Sequence, residues 1–124
     1  MQSEILGYTF AAFVLLPIIV QMALALGAPI GRYTLGGRFP GQLPRRWRVL
    51  ALVQAGLLGG MTIIVLDHTG SLGLGLPQVL IYIVLGLTVL SLLANAISPS
   101  RPERLMWTPV TALMTGTLVG ALLV

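Results

Sequence analysis

The sequence predicts an all-α integral membrane bundle of four transmembrane helices, forming one domain over residues 1–124. Three observations predict it. Hydrophobic residues make up 56% of the chain and charged residues 8%, with a mean hydropathy of +0.99, far from the make-up of a water-soluble domain. Four apolar runs recur along the chain, each free of ionised side chains. All seven basic residues are arginines confined to the connections after the first and third runs.

The runs lie at about residues 5–27, 49–66, 76–97 and 107–124. At roughly 1.5 Å per residue each is about 27–35 Å long as a helix, enough to cross a hydrocarbon core of about 30 Å. A lone span in lipid must pair its own backbone groups, and the strict alternation of a barrel strand is missing, so helix is the conformation that fits.

Orientation follows from the arginines. Arg32, Arg38, Arg45, Arg46 and Arg48 follow the first span, Arg101 and Arg104 the third, and the other face carries none. The positive-inside rule makes both loops cytoplasmic and puts the N-terminus, the Asp67–Leu74 loop and the C-terminus outside. Ala23-Leu24-Ala25 mimics a signal-peptide cleavage site, but Met1-Gln2-Ser3-Glu4 lacks a basic leader, so the first span is expected to be retained.

The loop from Ala28 to Arg48 mixes prolines, which fix φ, with glycines, which admit φ > 0, and so predicts a set of defined turns against the membrane. Tyr33, Phe39 and Trp47 would anchor it at headgroup depth. Two roles stand open. One is a topology determinant with an interfacial belt. The other is an anion or lipid-headgroup site, in which the amides of Gly36 and Gly37, flanked by Arg32 and Arg38 and backed by Arg45, Arg46 and Arg48, meet a phosphate. The Lys-Ser/Thr of a P-loop is absent, so nucleotide binding is not supported.

Ahead of the fourth span, Ser100 and Glu103 fit a capping box with Pro102 in the first turn, placing the helix start near Arg101. Glu103 is expected to cap the helix or to pair with a loop arginine. Pro109 and Pro17 fall inside helices and should bend them near Leu105 and Phe13.

Taken together, the Ala-Pro-x-Gly loop with Gly36-Gly37 and Leu43-Pro44-Arg45, and the Asn95-Ala96-x-Ser98 and Ser100-Arg101-Pro102-Glu103-Arg104 stretch before Thr108-Pro109, resemble a group of small four-helix bacterial integral membrane proteins. The resemblance implies a multi-pass protein of the bacterial inner membrane and draws attention to those two loops. It lends no reaction, substrate or cofactor.

Within the spans, the candidate functional side chains are neutral: Gln21, Gln54, Thr88, Ser91 and Asn95. The last three follow i, i+3, i+7 spacing and form one stripe on the third helix, and Gln21 and Gln54 can face one another. Such groups either hydrogen-bond helices together, at about 0.6 kcal/mol per contact, or line a cavity. Gly56 and Gly60 on the second helix, and Gly116 and Gly120 with Ala112 on the fourth, form small-residue faces suited to close helix packing.

Catalytic and metal sites are not expected. The single histidine, His68, adjoins Asp67 without a positioned nucleophile or oxyanion donors. There is no cysteine, one strong metal ligand stands where three are needed, and no cofactor is implied. The net charge of +4 belongs to membrane topology, not to nucleic acid. Two function classes survive. The first is a non-catalytic membrane component, such as a subunit, an assembly factor or a lipid-binding protein, whose partners are the bilayer, anionic phospholipid, a membrane complex or a second copy. The second is an oligomeric small-solute transporter or channel. Ion coupling is disfavoured, because no ionisable residue lies at mid-membrane depth.

Overall fold

In a computed structural model describing residues 1–124, the chain forms four long helices: α1 (Gln2–Ala25), α2 (Arg45–His68), α3 (Val79–Ala96) and α4 (Arg101–Leu123). There are no strands, and each helix is long and apolar enough to cross a membrane. The helices overlap the predicted spans: α1, α2 and α4 begin three to six residues earlier, α3 begins three later, and all end within two residues of the predicted ends. The largest extension is at α4, where Ser100 caps the helix at the position its sequence suggests.

The turns between helices are set by residues that release helical geometry. Gly27 (φ 97°) donates to Leu24 O while Ala28 donates to Ala23 O, and Gly70 (φ 92°) and Ser71 repeat that pattern on Asp67 O and Leu66 O. Both are Schellman ends, in which a glycine in the left-handed region turns the chain and satisfies helix carbonyls. Pro44 precedes α2, and its carbonyl accepts from Trp47 and Arg48. Pro17 and Pro109 both lie within helices, as expected.

The bundle is up-down-up-down. α1 packs against α2 and α4, α3 packs against α4, and α2 and α3 touch only sparsely. Gln2 and Leu123 therefore share one end with the Asp67–Leu74 loop, and every arginine lies at the other. Half of the bundle, on the termini side, is tightly filled by Phe10, Val14, Met61, Val65, Ile81, Val84, Met114 and Leu118. A second cluster of Val20, Leu24, Leu43, Ala51 and Trp107 closes the arginine end between α1, α2 and α4. Large apolar side chains cover the outside as well, with Val53, Leu90 and Leu105 each about 60% exposed. An exterior of this kind suits lipid, where helices are held by van der Waals fit and not by the removal of apolar surface from water.

Most of the small-residue faces are left unpacked within the single chain. A Cβ on Gly56, Gly60 or Gly116 would meet nothing within 4 Å, and one on Gly120 would meet only Leu6, at 3.4 Å. Within the chain Gly56, Gly60 and Gly116 face open space, while Gly120 packs against Leu6 of α1. Four-residue spacing marks a flat face but not its direction, and here Met61, Val65, Met114 and Leu118 turn inward instead. Close approach occurs at Gly7, where an added Cβ would collide with the Thr69 side chain, and at the buried Ala51 and Ala55.

Candidate functional site: a side-opening cavity under the arginine loop

The loop between α1 and α2 folds back on itself. Gly31 N–H donates to Gly41 O at 2.9 Å and Arg32 N–H to Pro40 O at 3.2 Å, closing the loop at its base. Gly31 is buried there, and any Cβ would overlap the Phe39 carbonyl oxygen. Beyond it, Leu35, Gly36 and Gly37 all have positive φ (52°, 65° and 74°), a left-handed turn closed by Gly37 N–H to Thr34 O at 2.9 Å. Glycine takes this conformation freely. Leucine does so at a cost of about 1–2 kcal/mol, so other contacts must hold Leu35 in place.

Those contacts come from the start of α4. Ser100 Oγ donates to Arg32 O at 2.6 Å, Trp107 Nε1 donates to Tyr33 O at 2.6 Å, and Gly36 N–H donates to Glu103 Oε2 at 2.7 Å. The same carboxylate oxygen accepts from Ser98 Oγ at 3.0 Å. The capping box is therefore half formed: Ser100 Oγ accepts from Glu103 N at 3.4 Å, but Ser100 N–H turns to Ser98 Oγ at 3.2 Å. Glu103 reaches neither the cap amide nor a loop arginine, because the neutral donors of Gly36 and Ser98 occupy it.

This arrangement bears on the expected anion site. Gly36 and Gly37 have both amides taken by internal acceptors, and the acceptor at Gly36 is itself an anion. A phosphate there would displace a carboxylate that already holds the turn. The arginines also separate differently from their order in the sequence. Arg48 Nε donates to Ala25 O at 3.2 Å and Arg104 Nη1 to Ser98 O at 2.9 Å, so both neutralise carbonyls at chain turns. Arg32, Arg38, Arg45, Arg46 and Arg101 are exposed at the same end, three of them lying over their neighbouring rings at 5.2–5.4 Å.

Beneath the loop lies a cavity of about 370 Å³. All five neutral polar residues singled out in the spans line it: Gln21 from α1, Gln54 from α2, and Thr88, Ser91 and Asn95 from α3. Met61 and Met114 form its floor against the filled half of the bundle, and Tyr33, Thr34 and Leu35 of the loop roof it. Trp107, Thr111 and Glu103 complete the α4 wall. Its open side is the sparse α2–α3 seam, where Leu57, Ser91 and Ala94 are exposed. The cavity thus opens sideways, toward the region lipid would occupy.

Hydrogen bonding within the cavity is incomplete. Thr88 Oγ1 donates to Val84 O at 2.7 Å and Thr111 Oγ1 to Trp107 O at 2.7 Å, using those hydroxyls locally. Gln21 Oε1 is buried with no partner. A buried acceptor left unpaired costs about 1–3 kcal/mol, so Gln21 is energetically prepared for a donor. Glu103 is the only charged residue in the lining.

Sequence reasoning missed the loop roof, the Met61–Met114 floor, and the positions of Trp107 and Glu103. One signal for Glu103 was present: of the three acidic residues, it alone lies at the arginine end. At the opposite end, Asp67 accepts from Leu74 N–H and, at 2.9 Å, from Leu76 N–H, and so organises its own loop. No family model, curated protein or solved structure matches this chain.

Proposed function

We propose that the protein is a non-catalytic, lipid-binding component of the membrane, oriented with both arginine loops in the cytoplasm. The exposed arginines attract the anionic cytoplasmic leaflet, each basic residue contributing about 1 kcal/mol near such a surface. The cavity receives the head of an amphiphile that enters between α2 and α3. The single observation that carries this reading is the convergence of Gln21, Gln54, Thr88, Ser91 and Asn95 on one space that opens at the side of the bundle. Binding pockets of about 300–1,000 Å³ with a few convergent polar groups are the usual form of a small-molecule site.

The same geometry favours binding over conduction. Phe10, Val14, Ile81 and Leu118 fill the half of the bundle beyond the cavity floor and are at most 1% exposed, so the cavity ends inside the chain. Filling the cavity mouth tests the proposal. Ala94→Phe is exposed at the rim and should leave folding intact while removing copurifying lipid from native mass spectra. Lipid retained at the wild-type level in this variant would overturn the binding site.

A further inference from the structure

Accepting that the cavity binds an amphiphile, we propose that its ligand carries an uncharged, hydrogen-bonding head, such as the hydroxyl and ester groups of a diacylglycerol, and that it excludes anionic phospholipid. Depth is the first argument. Gln54 lies nine residues into α2, about 14 Å along the axis from Arg45, and Thr88 lies eight residues before the end of α3, about 12 Å from the same side. A head that reaches both leaves the hydrated surface, which an ionised group resists strongly and a hydroxyl or ester far less.

Charge is the second argument. No arginine lines the cavity, and the only ionised lining group is Glu103. An anionic head would meet a carboxylate and no counter-charge. A cationic head would find its counter-charge only at the loop roof, where Glu103 Oε2 accepts from Gly36 N–H and Ser98 Oγ, and none beside the amides deeper in the cavity. Unpaired polar groups in the cavity favour the same head. Gln21 Oε1 lacks a donor, which a hydroxyl supplies, and the Gln54 and Asn95 amides can donate to ester or hydroxyl oxygens. Met61, Leu57 and the open seam leave an apolar exit for the chains. The protein therefore uses its arginines for anionic lipid outside and its amides for a neutral head inside.

Trp107 in the cavity wall provides the readout. The chain has two tryptophans, and Trp47 Nε1 has no hydrogen-bond partner, so Trp47→Phe removes the second emitter without breaking a bond. The full-length Trp47→Phe protein is placed in phosphatidylcholine nanodiscs. Its Trp107 emission is titrated with three lipids brominated along the acyl chain: dioleoylglycerol, dioleoylphosphatidylglycerol and a dialkylammonium. Occupancy of the cavity is read as quenching above the background given by phosphatidylcholine brominated at the same chain position, because Trp107 keeps 8% exposure. The expected result is quenching by the diacylglycerol at about one-tenth the mole fraction that either charged lipid needs, with Gln54→Leu weakening it about fivefold to tenfold. Stronger or equal quenching by either charged lipid overturns the head-group assignment and leaves the cavity a lipid site. No quenching by any of the three overturns the lipid-binding reading itself. Quenching by the diacylglycerol that is unchanged in Gln54→Leu also overturns the assignment, because apolar partition alone would then account for it.

Discussion

The loop roof is held by a small number of bonds, and Glu103 is the one whose removal has the most calculable effect. Its Oε2 accepts from Gly36 N–H at 2.7 Å and Ser98 Oγ at 3.0 Å. Hydrogen bonds to a charged group contribute about 1.5–3 kcal/mol when partly shielded, and neutral ones about 1. Glu103→Ala deletes the acceptor of both bonds and leaves the part-buried Gly36 amide unpaired, a loss of about 2–3 kcal/mol. Glu103→Gln keeps one neutral acceptor and should lose only about 1 kcal/mol. The loss on loop opening is that of the Gly36 bond, because it ties the loop to α4 while the Ser98 bond stays within the α3–α4 turn. At 1.4 kcal/mol per tenfold, the open loop becomes roughly 30- to 150-fold more populated in the alanine variant and about fivefold more in the glutamine variant. Tryptic cleavage after the exposed Arg38 reads that population when opening and closing are fast relative to cleavage. Cleavage sites are assigned by mass spectrometry, with Arg46 as the internal reference, since it lies in the first turn of α2, outside the clamp. An Arg38 rate unchanged in Glu103→Ala would refute the clamp. Equal acceleration at Arg38 and Arg46 would show general unfolding instead.

Three further outcomes are expected. Gly31→Ala should disrupt the loop more than Gly36→Ala, because the first Cβ overlaps a carbonyl oxygen while the second sits 3.3 Å from the Pro99 ring and adds the left-handed cost of about 1–2 kcal/mol; thermal midpoints in the same detergent compare the two directly. Gly116→Leu faces open space within the chain and should not lower monomer stability, since leucine also has the higher helix propensity. A loss of oligomer mass in that variant would place a second copy on this face, and a large drop in the midpoint would contradict the outward placement. Reporters fused after Val124 and inserted near Ser71 should both read outside, and one near Gly41 inside; a cytoplasmic C-terminus would remove the proposed orientation.

Number, length and order of the helices were legible because lipid imposes a strong local rule: a span must be apolar for about 20 residues and must pair its own backbone. Ser100 began a helix, and Pro17 and Pro109 stayed within theirs, through local stereochemistry. The stripe of Thr88, Ser91 and Asn95 was legible for the same reason, since it lies within one helix.

Tertiary structure decided the rest. Gln21 and Gln54 reach that stripe only because α2 and α3 stand apart while α1 and α4 close the other sides. Glu103 leaves its cap for Gly36, 67 residues away in sequence, and Gly56 and Gly116 face outward while Met61 and Met114 face in. The physical reason is common to all of these. In lipid the outer face of a helix is as apolar as its inner face, so composition marks where a span lies but not which way it turns. Direction is set by the fit of side chains between helices and by the few polar bonds that cross from loop to helix, and both exist only once the helices have met.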